Sequence, residues 1–411
     1  MSRVVRLGAV ALLLCVLAAA WPPRLLLAQP AAPAVAARAA YLVDFNSGRV
    51  LYEHNADEPI PPASLTKLMT LYLTYEALAQ GRIRRDDLVP ISQRAWAQNP
   101  ELRGSSLMWL EPGQKVTVGE LMLGVAVPSG NDAAIALAEK LAGTVEAFVS
   151  QMNAKAKELG LENTRFVDPH GLSPENRMTA RDAARLAIRY ISDFPQALTE
   201  LHSVKEFSYP QPHNLSPDQI ARGEQPIRQE NRNWLLWSYP GADGLKTGFI
   251  EEAGYNLIAT AKRGDMRLIA VLLGTESEAA REAQATALLN WGFDNWTSLQ
   301  LFPADRVMGQ VRVWKGAKDQ VDVVPERPLW VAIPKGSEAQ LVETVSLRDQ
   351  EPVVAPVRQG QVLGEAVAVL GDEEVGRVNL VAREEVPPGG FFKRLWDTIR
   401  LFVAGLLARW L

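Results

Sequence analysis

From Ala40 the chain reads Tyr-Leu-Val-Asp-Phe-Asn-Ser-Gly-Arg-Val-Leu-Tyr, two apolar, strand-like runs on either side of Asn46-Ser47-Gly48, which has the composition of a hairpin turn. Helical periodicity follows over Leu65 to Leu78, Val118 to Leu141 and Thr144 to Leu159, and strand-like runs return at Tyr255 to Thr260 and Arg267 to Leu273. Strands at both ends with helices between them predict an α+β domain. Beyond about residue 298 the helical period vanishes, and short runs such as Gln310 to Trp314, Leu329 to Ile333 and Val375 to Val381 alternate with turns. This pattern predicts a small all-β domain. Pro387-Pro388-Gly389-Gly390 then breaks the chain before a last segment, Phe391 to Leu411. There are no internal repeats.

The two ends carry patterns of their own. At the start, Arg3 and Arg6 precede an apolar run from Leu7 to Trp21 and then small residues, which reads as an export leader cut after Ala28 or Ala36. The uncharged run is short for a bilayer span. At the end, plotting residues 391–411 at 100° per residue gathers Lys393, Arg394, Asp397, Arg400, Ala404 and Ala408 on one side. The other side carries Phe391, Leu395, Trp396, Ile399, Phe402, Val403, Leu406, Leu407 and Trp410, so the helix suits the plane of a membrane surface, its basic residues meeting anionic headgroups. Docking on its own protein is the other use for such a helix. Arg400 and Arg409 leave eight uncharged residues between them, whereas a spanning helix needs about 20.

Composition narrows the chemistry. A chain of 411 residues with 47% hydrophobic content can bury a large core. Its net charge is −4, and residues 1–28 contribute three arginines and no acid, so the rest stands at −7 and nucleic acid is not an expected partner. The one cysteine, Cys15, lies in the leader, which removes disulfide and thiol chemistry from the mature chain. With only His54, His170, His202 and His213, and no zinc-binding spacing, neither a metal nor another cofactor is expected.

Three short motifs remain. Ser64-Leu65-Thr66-Lys67 opens a helical run after Pro61-Pro62, and the i, i+3 spacing puts hydroxyl and amine on one face. Serine is a poor nucleophile until a base takes its proton, and a lysine buried among Leu68, Met69, Leu71 and Leu73 can do so if its pKa falls. Alone, the spacing is equally an ordinary helix start. Ser129-Gly130-Asn131 follows Pro128 in a loop between helices, where Ser129 can relay a proton and Asn131 can hold both Lys67 and a substrate amide, or either can cap the next helix. Lys246-Thr247-Gly248 leads into Phe249-Ile250 as a strand whose glycine admits a ligand to the backbone; its cation and hydroxyl suit a carboxylate, and an edge strand pairs with an extended peptide. The plainer reading of Lys246 is a turn lysine.

Each motif occurs once, in this order and at domain-scale intervals, which matches the Ser-x-x-Lys, Ser-x-Asn and Lys-Thr-Gly set of β-lactamases and penicillin-binding proteins. Over residues 40–411 the chain resembles the low-molecular-mass penicillin-binding proteins that are D-alanyl-D-alanine carboxypeptidases. The resemblance also rests on Asp44-Phe45-Asn46-Ser47-Gly48, Gly104-Ser105-Ser106-Leu107-Met108, His170-Gly171-Leu172, Asn231-Arg232-Asn233 and Ala253-Gly254-Tyr255-Asn256-Leu257. It implies that Ser64 attacks the carbonyl between two D-alanines, that Lys67 takes its proton, and that Ser129 with Asn131 completes the proton path. It further implies that Lys246, Thr247 and Arg232 hold the terminal carboxylate, that the amides of Ser64 and Phe249 form an oxyanion hole along Gly248, and that penicillin acylates the same serine.

Two departures touch specificity: Ile250 stands where relatives commonly have Thr, and Phe249 replaces a His found in some. His170 is expected to brace a loop. The Glu-x-x-Leu-Asn element of class A β-lactamases is missing, since Leu289-Asn290 has Thr286 at the Glu position. The alternatives are a β-lactamase or endopeptidase of the same clan, or an inactive peptidoglycan-binding scaffold. The expected organisation is a leader over 1–28, a penicillin-binding/β-lactamase-like α+β catalytic domain over 37–297, an all-β domain over 298–386 acting as spacer or platform, and an amphipathic anchor over 387–411. The expected partners are peptidoglycan stem peptides ending in D-Ala-D-Ala, β-lactams as covalent inhibitors, and a membrane surface met by residues 391–411. Such a chain works peripherally on the periplasmic face of the inner membrane.

Overall fold

The computed structural model describes residues 31–347 and 352–407. The leader over 1–28 and the tail residues Ala408, Arg409 and Trp410 lie outside the described residues. Strand β1 (Ala39–Asp44) turns through Asn46-Ser47-Gly48 into β2 (Val50–His54). The helical segment comprises α1 (Lys67–Ala79), the small ribbon of β3 (Leu88–Val89) and β4 (Val116–Thr117), α2 (Val118–Ala126), α3 (Asn131–Ala142), α4 (Val145–Glu158) and α5 (Ala180–Asp193). A second ribbon, β5 (Glu206–Tyr209) with β6 (Ile227–Glu230), flanks the short helix α6 (Pro217–Arg222). Helix α7 (Leu235–Ser238) then leads into three long strands, β7 (Ala242–Ile250), β8 (Gly254–Arg263) and β9 (Met266–Thr275). They join the hairpin in one antiparallel sheet ordered β2-β1-β9-β8-β7, with β7 at an edge.

Central strands of this sheet read as unbroken apolar runs because both faces are covered. Along β1, Ala39, Tyr41 and Val43 face the helical cluster of Leu68, Met69 and Leu186, while Ala40 and Leu42 face Leu288, Leu289 and Phe293 of α8 (Glu278–Asn295). Fully burying each such leucine contributes about 1.5–3 kcal/mol. The helical stretch from Val118 to Leu141 is two helices with the expected loop after Pro128 between them. Pro128 and Ser129, the latter at φ +65°, break it, and α3 restarts at Asn131.

Helix α8 runs directly into β10 (Trp296–Phe302), which pairs with β13 (Leu329–Pro334). The remaining strands, β11 (Gly309–Trp314), β12 (Gln320–Pro325), β14 (Leu341–Leu347), β15 (Val353–Val354), β16 (Val362–Leu370) and β17 (Glu373–Ala382), form a six-stranded sheet around a separate valine- and leucine-rich core. The first hairpin turn clasps this unit. Ser298 Oγ donates to Asp44 Oδ2 at 3.1 Å, and Arg49 reaches Glu373 at 2.7 Å and lies over the Trp296 ring.

Helix α9 (Phe391–Leu407) docks by its polar side. Asp397 is buried, accepts the Lys315 amide at 2.7 Å and pairs with Lys393 at 3.2 Å; Lys393 also meets Asp319, and Arg400 sits over Trp314. Lys393 and Arg400, expected to meet lipid headgroups, thus also contact the β domain. The apolar side, including Phe391, Trp396, Ile399 and Phe402, faces outward. No helix among the described residues is long and apolar enough to cross a membrane.

Candidate active site

The site forms where α1, the α2–α3 loop and the edge strand β7 converge. Ser64 lies in a turn of 3-10 helix, Ala63–Thr66, that runs straight into α1, so one helical turn separates it from Lys67. Lys67 Nζ donates to Ser64 Oγ at 2.8 Å, to Asn131 Oδ1 at 2.5 Å and to the His170 carbonyl at 2.7 Å. Two fixed acceptors thus aim the third position of the amine at the serine, and a neutral Lys67 presents its lone pair there. Burial lowers the Lys67 pKa from 10.5 to about 7, opposed by Asp168 and Asp132 and reinforced by Arg232.

Backbone geometry holds the other wall. Ser129 adopts a left-handed conformation rare for a non-glycine residue. Its hydroxyl is buried and has no hydrogen-bond partner among the described residues. The cap reading fails for both residues: Gly130 is the N-cap of α3 with no side-chain cap, and Asn131 has turned its oxygen to Lys67. The Asn131 amide donates to the Ser106 carbonyl at 2.8 Å, which ties Gly104-Ser105-Ser106 to this wall.

Strand β7 closes the cleft. A side chain at Gly248 would lie 2.8 Å from the Pro62 carbonyl and 3.0 Å from the Ser64 amide, so glycine lets the strand pass beside the serine. Asn256 on β8 donates to the Pro61 carbonyl at 3.0 Å and locks the same turn from behind. Thr247, Gly248 and Phe249 line the opening with Ser64, Ser129, Asn131 and Arg232, enclosing ≈ 580 Å³. Lys246 is buried behind that surface: Nζ donates to the Thr247 carbonyl at 3.0 Å, and burial, with Lys67, Arg232 and Arg281 nearby, holds its pKa well below 10.5. Phe249 is half exposed and stacks near Tyr255, 4.4 Å between centroids. Arg232 stands between Asn231 and Asn233, which fasten the loop to the Val204 and Gly244 carbonyls.

His170 braces, as the sequence suggests. Burial drops its imidazole to about 4, so it is neutral, while its carbonyl meets Lys67 and its turn is held by Asp168, which accepts the amides of His170 at 2.9 Å and Ser173 at 2.8 Å. Gly171, at φ +89°, has no room for a side chain against the Ala63 carbonyl. A second hollow of ≈ 650 Å³, lined by Asp168, His170 and Ser173 of this turn, does not include Ser64 in its wall.

Sequence reasoning missed Arg281 and Asp132. Arg281, on α8, is buried at the end of the cleft beside Tyr255, pairs with Glu278 at 2.8 Å, and its Nε has no partner among the described residues. Asp132 accepts four backbone amides, those of Met108, Trp109, Leu110 and Ala133, at 2.8–3.0 Å, and so fixes the loop that carries Ser105 and Ser106.

An α+β domain with a serine hydroxyl against a buried amine of lowered pKa, beside an edge strand, defines a serine hydrolase. Residues 27–277 match the model of the D-alanyl-D-alanine carboxypeptidase family, and residues 296–388 that of the penicillin-binding protein 5 C-terminal domain. The chain is 42% identical over 373 residues to the D-alanyl-D-alanine carboxypeptidase DacC of Escherichia coli, covering 90% of this chain and 89% of that protein. With DacA of the same species the identity is 37% over 375 residues, 90% and 89% of the two chains. Penicillin-binding protein 5 from Haemophilus influenzae superposes with a TM-score of 0.78 at 36% identity, covering 87% of this chain and 99% of that one. Penicillin-binding protein D2 from Listeria monocytogenes, solved in an ampicillin-bound form, gives 0.54 at 31% identity, with 63% and 98% covered. This chain belongs to the D-alanyl-D-alanine carboxypeptidases of the low-molecular-mass penicillin-binding proteins, and it is a serine-type carboxypeptidase with the two-domain fold of that family.

Proposed function

We propose that Ser64 Oγ attacks the carbonyl joining the last two D-alanines of a peptidoglycan stem peptide while neutral Lys67 takes its proton. The new Oγ–C bond forms, the C–N bond breaks, and the proton passes by way of the Ser129 hydroxyl to the leaving amine of D-alanine. Water, deprotonated by Lys67, then hydrolyses the ester and returns the proton to Ser64. The amides of Ser64 and Phe249 hold the developing oxyanion, and Asn131 holds a substrate amide. Thr247, Arg232 and Arg281 bind the terminal carboxylate at the cleft surface, with Lys246 bracing the Thr247 carbonyl from behind. A β-lactam presents the same carbonyl and carboxylate and acylates Ser64. The observation that carries this reading is the 2.8 Å contact between Ser64 Oγ and an amine fixed by two other acceptors. Its test incubates the purified protein with a peptide ending in D-alanyl-D-alanine and measures released D-alanine. Release by the native chain and none by Ser64→Ala supports the reading; equal release by both overturns it.

The enzyme works at the outer face of the cytoplasmic membrane after export, with α9 as its foot. What supports this is the orientation of α9, polar side bound to the β domain and Phe391, Trp396, Ile399 and Phe402 outward. A chain ending at Gly390 keeps the docked residues Val386 and Gly389. It is expected to stay in the supernatant when the full chain pellets with anionic phospholipid vesicles. Equal pelleting would rule α9 out as the anchor.

A further inference from the structure

Helix α7 buries Leu235 and Leu236 and turns two tryptophans outward: Trp234 is 41% and Trp237 40% exposed. Three residues apart, the indoles share one helix face, 5.0 Å between centroids and tilted by 41°. Lys205 steadies the platform. Its Nζ lies 5.5 Å from the Trp237 ring, and its carbonyl accepts the Asn231 amide at 2.7 Å. Exposed paired indoles mark a binding surface rather than a fold requirement.

We propose that Trp234 and Trp237 bind a sugar ring of the peptidoglycan glycan strand, whose apolar C–H face stacks on indole. The platform adjoins the catalytic cleft along the chain: Arg232, which lines the cleft, stands two residues before Trp234. Two residues span at most about 7 Å, whereas an extended stem pentapeptide spans up to about 17 Å. The peptide's reach thus exceeds the step from the indoles to Arg232, which lines the same opening as Ser64. The assignment rests on the proposed catalytic reading and extends it from the peptide to the strand that carries it.

The test uses the full chain and the double variant Trp234→Ala/Trp237→Ala. For a disaccharide-pentapeptide, KM is expected to rise about tenfold with kcat unchanged, the signature of lost uniform binding. For the sugar-free pentapeptide both constants stay within about twofold of native, and cosedimentation with peptide-stripped glycan strands is lost. The single variant Trp234→Ser, which leaves Trp237 and Lys205 in place, is expected to show the same selectivity in smaller measure and guards against unfolding. Equal changes for both substrates, or none, overturn the proposal. So does loss of vesicle binding with glycan binding retained, which would assign the indoles to lipid. If the native chain released no D-alanine from either substrate, the catalytic reading would fall, while binding of stripped strands would still judge the platform.

Discussion

Replacing Lys67 with alanine is expected to slow acylation of Ser64 by roughly a thousandfold, the middle of the range for a removed general base. The amine is the group the geometry offers the serine proton, since the His170 imidazole accepts the Leu172 amide and burial lowers its pKa to about 4. The pH dependence follows from the same burial. With a pKa of about 7, acylation of the native enzyme should rise through neutrality and level off above it as the amine loses its proton. Stability moves with it. The unfolded lysine titrates near 10.5 and the folded one near 7, so between these values the unfolded state binds more protons and stability rises with pH. The burial cost is fully present below pH 7. Lys67→Ala removes that term, so its melting temperature relative to native should be most favourable below pH 7 and lose ground towards pH 10. Acylation rates and thermal melts across pH check both halves; a flat difference in melting temperature would mean that the folded amine is not shifted.

Asp132→Ala is expected to cost at least about 3 kcal/mol, because it strands buried amides of Met108, Trp109, Leu110 and Ala133 that have the carboxylate as acceptor. In a domain of this size that lowers the melting temperature by on the order of 6–12 °C. Trp109 sits at φ +76°, a conformation held only while its amide is bound. Once freed, the loop carrying Ser105 and Ser106 no longer shapes the cleft, and β-lactam acylation should slow as well. Asp132→Asn should rescue little. Its amide keeps one acceptor oxygen but points donors at the second pair of backbone amides. Full stability in the asparagine variant, read by thermal melt, would show that the four bonds do not hold the loop.

Much of the site was legible because its chemistry is local in sequence. Ser64 and Lys67 are one turn apart, Ser129 and Asn131 share a loop, and Lys246 to Phe249 share a strand, so each set was local in the sequence even though Lys246 and Thr247 point to opposite faces of theirs. The break at Pro128 also follows from a local signal, whereas the edge position of β7 is set by the order of strands in the sheet. Arg281 and Asp132 were not legible, for a shared reason. An arginine in an ordinary amphipathic helix and an aspartate at a helix start announce nothing until the fold brings α8 to the cleft and the 106–110 loop onto α3. The depth of Lys246 depends likewise on the packing around β7. For α9 the periodicity gave two faces but not which of them meets protein. That depended on the Lys315 amide, which needs an acceptor where Asp397 arrives.

The most direct measurement is the intact mass of the full chain after mixing with benzylpenicillin, followed by mapping of the modified peptide. The account expects one covalent adduct per chain, on the peptide containing Ser64, and none on Ser64→Ala. An adduct at any other residue, or an unmodified native chain, would contradict it.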